Sequence, residues 1–154
     1  MPAIRFMLNQ KGTYTLILQS NSTRKIQIGR LGKLALNSGY YLYVGSAFGP
    51  GGLKSRIDHH LKRVIKPHWH IDYLRRYTKV IEIWYTTDTV RREDDWVTNM
   101  TKIPHVNIAY PGFGASDSNG VSHLFRSAHK PEFESFRRVI KQIPNHAPIY
   151  VSQR

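Results

Sequence analysis

The sequence predicts an α/β fold of the α+β kind: a small central mixed or antiparallel sheet flanked by helices, in one domain over residues 1–154. Three observations carry that prediction. Stretches of β-branched and aromatic character (Gly12–Gln19, Tyr40–Ser46, Lys79–Thr86) are separated by stretches with a helical apolar stripe (Leu53–Val64, Thr89–Thr101, Pro131–Gln142). A glycine-rich loop from Gly45 to Gly52 joins the second strand directly to the first helix. The chain is also long enough to bury a core of its own, and it shows no internal repeat or long linker.

Each element has its own local justification. Gly12–Gln19 is apolar and β-branched and reads as a strand. Ser20–Thr23 is a cluster of turn residues, and Arg24–Ile28 alternates basic with apolar side chains, which predicts a hairpin with the first strand. Gly29–Gly39 reads as a connection. In Tyr40–Ser46 the alternation places Tyr41 and Tyr43 on one face, and Tyr40 and Leu42 on the other. Leu53–Val64 turns Leu53, Ile57, His60, Leu61 and Val64 inward, with Lys54, Asp58 and Lys62 outside and Pro67 as its stop.

Further along, His68–Arg76 reads as a short helix anchored by Trp69, Ile71, Tyr73 and Leu74, and Lys79–Thr86 as a third core strand. Thr89–Thr101 has Glu93, Asp94 and Asp95 near its start, where a helix dipole favours carboxylates. Pro111–Gly120 is rich in turn formers, and Ser122–Arg126 is a short strand. Pro131–Gln142 begins with proline at an early helical position and buries Phe133, Phe136, Val139 and Ile140. The C-terminal stretch, interrupted by Pro144 and Pro148, has room for one short strand.

Charge is the most informative bulk property. Lys and Arg number 23 against 10 Asp and Glu, a formal net charge of +13. Such an excess attracts polyanions, so nucleic acid is the expected partner, bound through its backbone and with strong salt dependence. The absence of cysteine excludes a disulfide framework and a thiolate metal site. No apolar run approaches the roughly 20 residues of a membrane helix, and Met1–Phe6 lacks the features of a secretory leader. A cytoplasmic protein without a membrane partner is expected.

The strand, glycine loop and basic helix form an arrangement that binds anions, because backbone N–H groups and a helix N-terminus favour phosphate. Ser46, Gly52 and Lys54, with Arg63 and Lys66 farther along, are therefore the expected nucleic-acid contacts. Tyr14 and Tyr43 on paired strands can face one cleft, and the helix can deliver Arg56 to it. By residue type alone, strand tyrosines are packing groups and helix arginines are solvated.

Two other clusters carry less. His68-Trp69-His70-Ile71-Asp72 has the His-x-His-x-Asp spacing of binuclear metallohydrolases, but Tyr73 stands where a further histidine is needed. Packing and local hydrogen bonds are the better reading there. Ser116, Asp117 and His123 lack the strand–elbow–helix context of a catalytic serine, so loop shaping is expected, with Asp117 and His123 along the cleft.

The order of motifs is more specific than any one of them. Gly12-x-Tyr14, Tyr43-Val44-Gly45 and the helix pattern Leu53-x-x-Arg56-x-x-x-His60 resemble the GIY-YIG nuclease superfamily. The longer runs Tyr43–His60, His68–Leu74 and Gly112–Phe125 resemble its DUF123 branch. The resemblance implies a divalent-metal-dependent endonuclease acting on DNA, plausible in DNA repair or processing of structured DNA. A non-catalytic nucleic-acid-binding module and an RNA-directed nuclease are the alternatives. It implies Tyr14, Tyr43 and Arg56 as catalytic groups, His60 close to the scissile phosphate, and Glu93 as ligand of Mg2+ or Mn2+. The chain departs from the superfamily in carrying Ser46 where many active members have lysine, and in a longer gap between the two tyrosines.

Overall fold

The computed structural model describes residues 9–114 and 121–154. Ser116 and Asp117 of the predicted loop lie outside the described residues, as do Ser118, Asn119 and Gly120. The strands are β1 (Gly12–Ser20), β2 (Arg24–Ile28), β3 (Gly32–Leu36), β4 (Gly39–Ala47), β5 (Lys79–Thr86), β6 (Asn107–Ile108), β7 (Leu124–Ser127) and β8 (Ile149–Gln153). The helices are α1 (Gly52–Leu61), α2 (His70–Arg75), α3 (Glu93–Asn99) and α4 (Phe133–Ile140), with a 3-10 turn at Met100–Lys102. This is the α+β architecture that the periodicities predict, with no helix among the described residues long and apolar enough to cross a membrane.

Six strands form one antiparallel sheet in the order β6-β7-β4-β1-β5-β8. β1 lies inside it, bonded to β4 along its whole length and to β5 across most of it. Both faces of β1 are buried: Tyr14, Leu16 and Leu18 face one core, and Ile17 the other. That explains why its sequence is a nearly continuous apolar run instead of a simple alternation. The first core fills the space between the sheet and a layer made of the β2–β3 ribbon, α1 and α2, through Ile26, Leu36, Leu53, Ile57, Ile71 and Leu74. On the opposite face Trp84 stacks on Phe136 of α4 at 4.8 Å between ring centroids, and Trp96 of α3 meets the same phenyl edge-on at 4.8 Å. Such ring pairs add to the burial of area itself.

The predicted hairpin between the first two strands does not form. β1 already has β4 and β5 on its two edges, so β2 pairs with β3 in a separate two-stranded sheet. Gly32–Leu36, within the stretch read as a connection, is that partner strand. Its five residues alternate buried and exposed, a pattern too short to stand out between glycines. β6, only two residues long, was also invisible to periodicity. α1 ends at Leu61, before the predicted Val64 and well ahead of Pro67.

The end of β5 is locked to α3 by a buried ion pair. Arg92 Nε donates to Asp88 Oδ2 at 2.8 Å, and the same carboxylate accepts the backbone N–H groups of Val90 and Ala147. The Arg92 backbone N–H donates to Thr13 Oγ1 at 3.3 Å, which ties the start of α3 to β1 one residue before Tyr14. Burial opposes the charge on Asp88, but these donors prevail and hold its pKa down to about 2, from an ordinary 3.8. A depressed carboxylate contributes stability that is present above its ordinary pKa and lost as pH falls towards the folded value. Asp88→Ala should cost about 3 kcal/mol by urea unfolding, because it strands a buried guanidinium. It should also remove part of the acid-induced loss seen in the wild type between about pH 4 and pH 2.

Candidate active site

The site begins with strand register. Tyr14 stands opposite Gly45, and Leu16 opposite Tyr43, so the two tyrosines share a sheet face as diagonal neighbours. A Cβ on Gly45 would lie 2.5 Å from Tyr14 Cζ and Oη. The glycine therefore leaves the space in which the Tyr14 ring lies over β4. The chemical content of the Gly-x-Tyr and Tyr-x-Gly pattern is this mutual fit.

α1 crosses the same face and brings in Arg56 and His60, one turn apart. Tyr14 Oη lies 2.7 Å from His60 Nε2, and the His60 ring meets Tyr43 edge-on at 6.1 Å between centroids. Arg56 places its guanidinium over the Trp69 ring, 4.6 Å from the centroid, so a cation–π contact holds it beside the phenols. Glu93 opens α3, and its Oε2 lies 3.1 Å from His123 Nδ1. His123 is itself pinned between strands: its N–H donates to Phe113 O, and its carbonyl accepts from Val44 N–H.

The electrostatics of this group are internally consistent. Tyr14 is fully buried, and burial, with Tyr43 and Glu93 nearby, raises its pKa well above 10; the Arg56 guanidinium beside it works in the opposite direction. Burial and the Glu93 carboxylate likewise push Tyr43 up, again against Arg56. Both phenols thus keep their protons, and Tyr14 Oη and His60 Nε2 share one hydrogen bond. Burial lowers His60 to about 3, helped by the charges of His59, Arg56 and Arg75, so its ring is neutral near pH 7. The other ring nitrogen, Nδ1, is buried without a hydrogen-bond partner among the described residues. His123 moves upward: burial resists its charge, but Glu93 and the Val44 carbonyl outweigh it.

The expected catalytic residues Tyr14, Tyr43, Arg56 and His60 therefore meet, and Glu93 is near enough for its charge to act on both phenols. Most of the expected nucleic-acid contacts lie outside this group. Ser46 follows Leu42 and Val44 along β4, whose side chains enter the core on the opposite face from the tyrosines. Gly52 is buried at φ +59, and a Cβ there would meet the Asn9 and Gln10 carbonyls. Its N–H donates to Gly49 O, and that of Leu53 to Gln10 O. Of the first donors of α1, the Gly52 N–H therefore turns back into the glycine loop and the Leu53 N–H ties the helix to the chain entering β1. Lys54 is exposed but paired with Asp58 at 2.6 Å, and Arg63 and Lys66 are exposed beyond the end of α1.

Three further residues shape the site. Trp69, read from sequence as a packing anchor, also carries Arg56. His70 Nδ1 accepts the Gly114 N–H at 2.8 Å, which fixes the late loop against α2. Asp72 Oδ2 accepts the N–H groups of His68 and Trp69, and Oδ1 meets His59 Nε2 at 3.0 Å. Hydrogen bonding, then, is what the His-x-His-x-Asp segment does here. His123 carries the largest role that sequence underrated, because only the fold places it against Glu93.

Two positions could hold a cation. His59, His60 and Asp72 bring ligating atoms within 4.8 Å of one another, a nitrogen-rich set. Glu93 is a partly exposed carboxylate that supplies oxygen. Mg2+ takes oxygen ligands and keeps several waters, often using only one or two carboxylates alongside substrate phosphate. Glu93 fits that ion and the His59 cluster does not.

His60 gives the site a pH signature. A histidine depressed in the folded state costs stability as pH falls below its ordinary 6.5, because the unfolded chain takes the proton first. Between pH 6.5 and 4.5 the wild type should lose roughly 2 kcal/mol more stability than His60→Gln, measured by urea unfolding. Parallel pH profiles would contradict the assignment of a buried neutral imidazole.

No curated protein and no solved structure matches the chain. One family model does match, described as "Domain of unknown function DUF123", over residues 13–145. That span runs from the residue before Tyr14 to beyond His123 and includes every residue of the site, so the chain belongs to the DUF123 family.

Proposed function

We propose that the protein is a divalent-metal-dependent endonuclease that hydrolyses phosphodiester bonds in DNA, acting in repair or in the processing of structured DNA. One observation carries this reading: Tyr14, Tyr43, Arg56 and His60 gather from β1, β4 and α1, and Glu93 of α3 is near enough for its charge to bear on both phenols. The net charge of +13 supports a polyanionic substrate.

Within that reading each side chain has a task. Arg56, held over the Trp69 ring, stabilises the negative charge that builds on the phosphate. The two phenols, protonated at rest, donate hydrogen bonds that orient the attacked group and the attacking water. His60 holds the Tyr14 hydroxyl in place through Nε2 and is the acceptor for its proton if the phenol is drawn into acid–base work. His123 keeps Glu93 aimed at the cleft. Glu93 is the residue that would hold a Mg2+ or Mn2+ ion, which when bound would supply Lewis acidity and offset the carboxylate charge that raises both phenols.

The second reading is a nucleic-acid-binding module that retains the scaffold without turnover. It is favoured by the same electrostatics: raised phenols and a depressed imidazole leave none of these groups poised as a base near neutral pH. Ser46, in place of a lysine, adds no charge.

Cleavage of plasmid, branched DNA and RNA, each with and without Mg2+, separates the readings. Magnesium-dependent nicking of DNA is expected. Arg56→Ala and Glu93→Gln should each lower it at least about 100-fold while leaving thermal unfolding within a few degrees of wild type. Full activity in either variant would sink the assignment. Preferential cutting of RNA would redirect it, and tight binding without cutting would favour the module.

A further inference from the structure

We propose a second anion-binding site, built for a phosphate group, in the crevice between β3 and the β4–β7–β6 side of the sheet. It is a cavity of about 460 Å³ with Leu34, Tyr41 and Ile108 in its apolar lining. Its polar lining is Arg126, His105, His129, Asn37 and Asn107. No aspartate or glutamate lines it among the described residues. The inference stands independently of the nuclease reading, because none of these residues belongs to the tyrosine cleft.

Arg126 is the main reason. It pairs with Tyr41 across β7 and β4, and its Nη2 donates to Ser38 O at 2.7 Å. Its Nε–H is buried and has no acceptor among the described residues. The rest of the guanidinium is part-exposed and lines the crevice, where no carboxylate stands beside it among the described residues. The planar fork of arginine matches the oxygens of a phosphate group.

The two histidines give the same direction. His105 and His129 face each other with ring centroids 5.1 Å apart, edge to face, and both are exposed at the mouth of the crevice. His105 holds φ at +68°, in the left-handed region that residues with a Cβ seldom occupy. Imidazole N–H groups and the side-chain amides of Asn37 and Asn107 can complete an oxygen-rich ligand's hydrogen bonds. The apolar walls leave room beside the phosphate for the sugar or ring of a nucleotide. Free nucleotides and the backbone of a nucleic acid share this chemistry, and the crevice selects for the phosphate in both.

Calorimetric titration of the full chain with inorganic phosphate, AMP and an oligothymidylate tests the site. AMP should bind, inorganic phosphate should compete with it, and Arg126→Gln should weaken AMP at least tenfold. Because Arg126 also bonds Ser38, the surface double variant His105→Ala/His129→Ala provides a second reading and should weaken AMP at least threefold with unchanged thermal unfolding. Tyr14→Phe should leave AMP affinity unaltered, which separates this site from the tyrosine cleft. If the oligothymidylate displaces AMP and loses affinity in Arg126→Gln, the physiological phosphate is that of a polynucleotide; if only AMP responds, it is a free nucleotide. If neither variant changes the binding of any of the three probes, the site does not exist.

Discussion

Strand β1 is buried on both faces and bonded on both edges, and the remainder of the molecule is arranged around that constraint. Such a strand cannot shift by one residue without moving each of its side chains into the wrong core. Its register with β4 is therefore strongly fixed, and with it the placement of Tyr14 over Gly45 and diagonal to Tyr43. The other face of the same strand offers Thr13, whose hydroxyl takes the Arg92 N–H and so positions the helix that begins with Glu93. One strand thus sets the distance between two halves of the site that arrive from opposite layers.

Burial also sets the chemistry. Taking two phenols and an imidazole out of water stabilises their neutral forms, which is why Tyr14 and Tyr43 rise while His60 falls. Arg56 and Glu93 then act as opposing levers on the phenols, one lowering their pKa and the other raising it. A phosphodiester anion, a cation on Glu93, or both would alter that balance. The rigid parts support this: Trp69 fixes Arg56, His123 fixes Glu93, and Asp72 fixes the turn that presents Trp69.

Much of this was legible in the sequence, for identifiable reasons. Long strands with a strong apolar bias, Gly12–Gln19 and Lys79–Thr86, coincide with β1 and β5 to within a residue, since burial on both sides leaves little tolerance for polar residues. Tyr14, Tyr43 and Arg56 could be expected in one cleft because each sits at a fixed step along a strand or helix, and His60 joined them through the family resemblance. Less legible were features decided by competition between distant segments. β2 alternates as a hairpin strand should, yet its partner is β3, because the edges of β1 belong to β4 and β5. The glycine loop resembles an anion cradle in sequence, but its Gly52 N–H bonds Gly49 O within the loop and the Leu53 N–H bonds Gln10 O ahead of β1. His123 is a lone histidine in a polar stretch, and only tertiary structure brings it to Glu93.

The central claim is that Glu93 and the tyrosines of β1 and β4 form one cation-assisted phosphate site. Anomalous diffraction from crystals soaked in Mn2+ examines it most directly, because the ion is located independently of any assay. The account predicts a single strong peak at coordination distance from a Glu93 carboxylate oxygen, on the side of the cleft that holds Tyr14, Tyr43 and Arg56. A peak bound instead by His59 and Asp72, with Glu93 still paired to His123 and no ion beside it, would contradict it.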